Sequence, residues 1–257
     1  MLSLYSENGS LGNEETLELS GNSLNRYDPA NNPLKTDLDK GLIMIDAGEA
    51  EIEGTVRWTR DGSGGADSMF ALNAFGTSFF ASHVARTVLW HNEIVLINVS
   101  GRENLLSLSL VNGAETYNTT FALLPFEKRT VEVNSLFPAL DMEVLNSSAL
   151  EISSQADMTG CFFHKIRSAS ACYALIPEGE AGQELMLPHV ASNDYWWTGA
   201  AIFNPRQAAV QVERNSPCRR NPRSCDSWTH KKKFHGPSFF RITDCRTNRL
   251  DKDSVKR

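Results

Sequence analysis

Small or apolar residues alternate with polar ones along two stretches that lie 100 positions apart. Ala50, Ile52, Gly54, Val56 and Trp58 interleave with Glu51, Glu53, Thr55 and Arg57. Leu150, Ile152, Ser154, Ala156 and Met158 interleave in the same way with Glu151, Ser153, Gln155 and Asp157. A two-residue period puts successive side chains on opposite faces of an extended chain, so both stretches read as half-buried β-strands. The pattern recurs at Leu106, Leu108 and Leu110 around Ser107 and Ser109, at Leu17 and Leu19 around Glu18, and at Val131 and Val133 around Glu132. Polar turn material, such as DGSGGAD at 61–67 and NGAETYN at 112–118, separates these runs. No stretch carries a sustained 3.6-residue apolar stripe with capping signals. The expected fold class is all-β, with short antiparallel strands in a sandwich or barrel.

The chain also matches itself. His83-Val84-Ala85 falls on His189-Val190-Ala191 at an offset of 106, and Trp90 then falls on Trp196 and Asn98 on Asn204. HVARTVLWHNEIVLIN and HVASNDYWWTGAAIFN share five identities in sixteen positions. The opening stretch, LSLYSENGSLGNEETLELSGNSLNRY, is similar to LSLVNGAETYNTTFALLPFEKRTVEV further on. A period near 106 residues is too long for a solenoid coil or propeller blade and fits one complete sandwich domain. The expected organisation is tandem β-sandwich repeats, incomplete at both ends. Residues 1–76 form a partial repeat lacking its first strand, and 77–187 a complete repeat. Residues 188–213 hold the opening strand or strands of a further repeat. Residues 214–257 form a basic, cysteine-containing, irregular tail. Segment 195–204 is expected to complete the first sheet by strand addition, because an unpaired edge invites association.

LMLPHVASNDYWWTGAAIFNP, together with FPALDMEVLNSSALEISSQADMTGCFFH, resembles tandem Ig-like β-sandwich repeats of secreted or surface proteins in bacteria. In such repeats a Pro-His-hydrophobic-Ala element precedes an aromatic strand that ends near Asn. The likeness spans roughly residues 2–213. The complete repeat departs from it where Ser82 stands in place of Pro188 and Val99 in place of Pro205. The resemblance implies an extracellular or cell-surface setting and a non-catalytic role, and it supplies no catalytic residues. No basic-then-apolar leader is visible in MLSLYSENGSLGNEE, so no signal peptide is expected in this chain.

Candidate chemistry is sparse. His83 and His189 each stand beside a strand start without a second donor at ligand spacing, and each reads as a structural hydrogen-bonding residue. Trp90 and Trp196 read as core. If Trp196 faces the core, Tyr195 and Trp197 face outward, where aromatic rings can stack on sugars or partner surfaces. Cover by a neighbouring copy is the competing reading. The carboxylates Glu51, Glu53 and Asp157 sit on polar strand faces, and no HExxH, GxSxG or phosphate-loop motif is present. Cys161 and Cys172 fall near the ends of two hairpin strands and read as buried thiols, with a disulfide as the alternative. Asn8, Asn98, Asn118 and Asn146 stand in glycosylation sequons. Catalysis, cofactors and metal are not expected.

Charge divides the chain sharply. Residues 1–213 hold 12 Lys+Arg against 27 Asp+Glu, whereas 214–257 hold 13 against 4. The formal net charge of −6 therefore describes neither part. In the tail, Cys218, Cys225, His230, His235 and Cys245 have C-x6-C and H-x4-H spacings that fit no standard zinc finger. Its cations and Trp228, Phe234, Phe239 and Phe240 could bind nucleic acid. The abrupt shift in composition reads instead as a translational frameshift near codons 211–216. An acidic surface over 1–213 is poorly suited to nucleic acid, which leaves the tail as its only expected route.

The expected function is a non-catalytic structural or adhesive module of a larger exported bacterial protein. The alternative is an accessory carbohydrate-binding module of a secreted hydrolase. Expected partners are neighbouring repeat modules or a surface glycan or protein, without membrane insertion, since no apolar run is long enough to span a bilayer.

Overall fold

The computed structural model describes residues 1–16, 18, 20, 21, 41–59, 66–113, 115–146, 148–167, 169–180, 182, 198–206, 210–214, 230–234 and 238–242. The described elements are overwhelmingly strands. In chain order they are β1 (Leu2–Ser6), β2 (Leu11–Glu15), β3 (Gly41–Ile45), β4 (Thr55–Thr59), β5 (Ala66–Phe70), β6 (Gly76–Ala81), β7 (His91–Asn98), β8 (Asn104–Asn112), β9 (Glu115–Leu123) and β10 (Lys128–Glu132). After the short helices α1 (Val133–Leu136) and α2 (Met142–Asn146) come β11 (Ala149–Ile166), β12 (Ala169–Ala174) and β13 (Ile176–Pro177). The last four are β14 (Thr198–Ile202), β15 (Val210–Arg214), β16 (His230–Phe234) and β17 (Ser238–Ile242). Every strand pair among the described residues is antiparallel, and the fold is all-β.

β11 organises the centre. Its first part, Leu150–Ser153, is paired with Ala81–Ser78 of β6 on one side and with Leu110–Ser107 of β8 on the other. Its second part leaves β8, and keeps β6 only through Met158, registered with Gly76. Met158–Lys165 pairs with Asn98–His91 of β7, and Cys161–Ile166 pairs with Ala174–Ala169 of β12. β9 continues the sheet beyond β8, β13 beyond β6, and β10 beyond β7. At the change of partners, Asn104 occupies the backbone groups that the ladder releases. Its Oδ1 accepts from Gln155 N at 3.0 Å and Ala156 N at 2.9 Å, and its Nδ2 donates to Ala156 O at 2.9 Å. A buried peptide group without a partner is costly, and the fully buried Asn104 supplies three bonds at this bend.

The two parts of β11 share one core. Leu150, Ile152, Met158 and Phe162 cluster with Phe79 and Ala81 of β6, Ile94 and Leu96 of β7, and Leu106, Leu108 and Leu110 of β8. The face expected for Leu150, Ile152, Ala156 and Met158 is the buried one, and Ser153, Gln155 and Asp157 are exposed opposite. Each fully buried leucine or isoleucine contributes about 2 kcal/mol of apolar transfer.

The strand that holds the alternating stretch Leu150–Met158 runs on to Ile166, 18 residues in all. Several expectations need correction. Glu51–Gly54 is not strand, and Ile52 is 40% exposed. That stretch has no described neighbours like those that β6 and β8 give to Leu150–Ser153. Trp90 is half-buried rather than core, and Val84 takes the core position nearby. Residues 230–234 and 238–242, expected to be irregular, are strands β16 and β17. Lys231 of β16 is registered on Glu213, and Phe240 of β17 on Ala200. β14 therefore pairs with β17, not with the first sheet, whose order is β2-β1-β3. No helix among the described residues is long and apolar enough to cross a membrane.

Candidate functional site

The turn between β9 and β10 is the most tightly built contact with the N-terminal sheet. Glu127 N donates to Leu124 O at 3.1 Å, closing a four-residue turn with Pro125 second and Phe126 third. Phe126 has φ 55°, the only positive value at a non-glycine position among the described residues. A type II turn demands that conformation at its third position and ordinarily fills it with glycine. A bulky residue there costs about 1 kcal/mol or more. The ring shows what the strain accompanies: it stacks on Tyr5 of β1 with centroids 4.8 Å apart and planes at 26°.

Three further contacts fasten the same place. Lys128 N donates to Glu7 O at 2.9 Å, and Lys128 Nζ donates to Gly41 O at 2.8 Å. Gly9, at φ 82°, lies so close to Pro125 that a Cβ there would sit 1.9 Å from the proline carbonyl oxygen. Only glycine fits. Behind the turn, Leu124 N donates to Glu127 Oε2, and Glu127 Oε1 accepts from Arg129 Nε and Nη2. The nearly buried carboxylate thereby fixes the turn from both ends.

A second contact involves the segment after β14. The Phe203 ring meets Phe80 of β6 edge-on at 5.5 Å. Pro205 joins Ser78, Phe80, Ser109, Glu151, Ser153 and Glu178 around a cavity of about 170 Å³. Burial, with the charge of Glu178 beside it, raises the Glu151 carboxyl above its ordinary value.

A half-buried polar cluster lies at the other end of β11. The rings of His83 and His164 are 6.0 Å apart, His164 lies 5.6 Å from Tyr173, and Phe162 lies 5.2 Å from His164. The Asn92 amide nitrogen is 3.0 Å from His164 Nδ1. Burial lowers both imidazoles. It takes His164 to about 4, with His83 adding to the effect. Both rings are therefore neutral at ordinary pH. The sequence treated His83 as solitary; His164 is its neighbour, from a strand whose pattern gave no sign of a second imidazole. Among the described residues no three His, Cys, Asp or Glu side chains are placed to hold a metal ion.

The aromatics proposed to face a ligand, Tyr195 and Trp197, lie outside the described residues, as do His189 and Trp196. Cys161 is a buried thiol and Cys172 a half-buried one. Of the sequon asparagines, Asn118 is exposed, whereas Asn98 is fully buried with its amide donating to Arg102 O and Leu124 O.

No protein-family model matches the chain, and no curated protein matches it. Among solved structures, the crystal structure of Thermotoga maritima 1070 is similar at 8% identity and a TM-score of 0.34, over 42% of this chain and 97% of that one.

Proposed function

We propose that this chain is a run of tandem Ig-like β-sandwich modules from an exported bacterial protein, serving as a structural spacer or adhesive segment without catalysis. The observation that carries the reading is the joint at Phe126. A strained aromatic turn, a glycine that only close approach explains and two lysine bonds all fasten the N-terminal sheet to the central one. Strain persists where the surroundings over-determine it, and it commonly marks a working contact. A spacer needs stiff joints between modules, and these residues supply one.

Support for the tandem arrangement comes from paired hairpins. The hairpins β1–β2 and β8–β9 occupy the stretches that match in sequence. Small-angle scattering on the full chain and on Tyr5→Ala tests the joint. The variant is expected to show a larger radius of gyration, and identical profiles would sink the spacer reading. The carbohydrate-binding alternative rests on the consecutive Tyr195-Trp196-Trp197. Specific binding on a glycan array, lost in Trp197→Ala, would replace the spacer reading with that one.

A further inference from the structure

Cys161 and Cys172 lie on adjacent antiparallel strands. Cys161 is registered with Ala174, and Phe163 with Cys172, so the two cysteines are diagonal neighbours. Phe162 and Tyr173, registered with each other, pack their rings at a tilt, 5.6 Å apart, toward the core. The alternation then places both thiols together on the opposite face. They touch. The hydrogen bond from Cys172 holds the Cys161 thiol below its ordinary pKa; burial opposes this, and the charge of Lys128 adds to it.

Access is unequal. Cys172 borders a cavity of about 450 Å³, whose wall also includes Thr55, Leu72, Thr159, Tyr173 and Leu175. Cys161 is buried behind it and does not line that space. The pair also has no counterpart in the first repeat, where Asp61 and Leu72 stand 100 positions earlier. The module therefore does not need two thiols here in order to fold.

We propose that Cys161 and Cys172 are a redox-active pair: Cys172 meets a low-molecular-weight disulfide through the cavity, and Cys161 resolves the product into a cross-strand disulfide joining β11 to β12. In the first step the Cys172 thiolate attacks one sulfur of the oxidant. A mixed disulfide forms, the oxidant's S–S bond breaks, and one small thiolate leaves. In the second step the Cys161 thiolate attacks Cys172 Sγ, displacing the second small thiolate. The protein gives up two electrons and two thiol protons, and the oxidant leaves as two thiols. Diagonal partners on antiparallel strands have Cα atoms roughly 7–8 Å apart, so closing a disulfide requires the backbone to move inward by about 1 Å. β12 is hydrogen-bonded to β11 alone among the described strands, and it supplies the small shift that closes the bond.

The full chain incubated with glutathione disulfide, quenched with N-ethylmaleimide and digested with trypsin tests this. The two cysteines fall in separate peptides, Thr130–Lys165 and Ser168–Arg206. The expected product is these two peptides cross-linked and two hydrogens lighter than their sum. Cys161→Ser is expected to accumulate glutathione on Cys172. In Cys172→Ser, Cys161 is expected to react about tenfold more slowly than Cys172 does in the first variant. Cys161→Ala repeats the first measurement in case a buried hydroxyl disturbs β11. Full alkylation of both cysteines in the oxidised wild-type chain would overturn the proposal. So would Cys161 capturing glutathione as fast as Cys172.

Discussion

Asn98 and Asn204 make the same turn 106 positions apart: Ser100 N donates to Asn98 Oδ1 at 3.0 Å, and Arg206 N donates to Asn204 Oδ1 at 3.1 Å. Their surroundings differ. The Asn98 amide donates to Arg102 O at 2.7 Å and Leu124 O at 2.8 Å, and its side chain is fully buried. Asn204 is half-exposed.

Asn98→Ala removes the partner of two part-buried carbonyls as well as of the turn N–H, so a loss of about 2 kcal/mol is expected. Asn204→Ala is expected to cost about 1 kcal/mol or less, because water can replace the side chain. Urea denaturation reads both. An unchanged midpoint in Asn98→Ala contradicts the role given to its amide.

At Phe126, alanine and glycine both remove the ring, but only glycine relieves the positive φ. Phe126→Ala is expected to be less stable than Phe126→Gly by about 1 kcal/mol. Equal denaturation midpoints for the two variants mean that the turn stores no strain.

Gly9→Ala drives a methyl group into the Pro125 carbonyl. The expected outcome is local: amide exchange in Leu2–Ser6 accelerates, while Leu96 and Leu150 in the central core stay protected. Uniform acceleration through both regions argues against a separable joint.

The imidazoles give a pH dependence of definite sign. His164 sits at about 4 in the fold against an ordinary 6.5. Between those values the unfolded chain binds more protons, so stability is full above the unfolded value and falls as pH drops toward 4. The loss expected from His164 is about 3 kcal/mol, and His83, also lowered, acts in the same direction. His164→Gln removes this part, which is read as the difference between wild-type and variant midpoints across the acid range. That difference also cancels the opposing contribution of Glu151, whose raised carboxyl favours the fold at lower pH. Parallel profiles for wild type and variant rule out a buried neutral His164.

The faces of β11 were legible up to Met158 because one side meets the core and the other meets water. Beyond it Thr159, Gly160, Cys161 and Phe162 are all buried, so both faces are covered and the two-residue signal vanishes. The missing side chain of Gly160 admits the Val95 carbonyl, which a Cβ there would meet at 2.3 Å. The Phe126 turn could not be read either, since the sequence puts phenylalanine where turn chemistry asks for glycine. The reason lies in Tyr5, more than a hundred residues away. β6 was missed for a related cause: Phe79 and Phe80 are both buried, on opposite faces, and leave no alternation.

β11 also sets the order in which this chain can assemble. Leu150 on β11 is registered with Ala81 and Leu110, and Cys161 with Val95 and Ala174, so four strands depend on one template. β6, β7 and β8 precede it in the chain and must wait, unpaired with each other, until residues 149–166 arrive. Such long-range closures slow folding and raise its entropic barrier. A chain emerging from a ribosome thus carries three apolar strands, each with an edge open toward β11, and the core they share closes only when β11 appears.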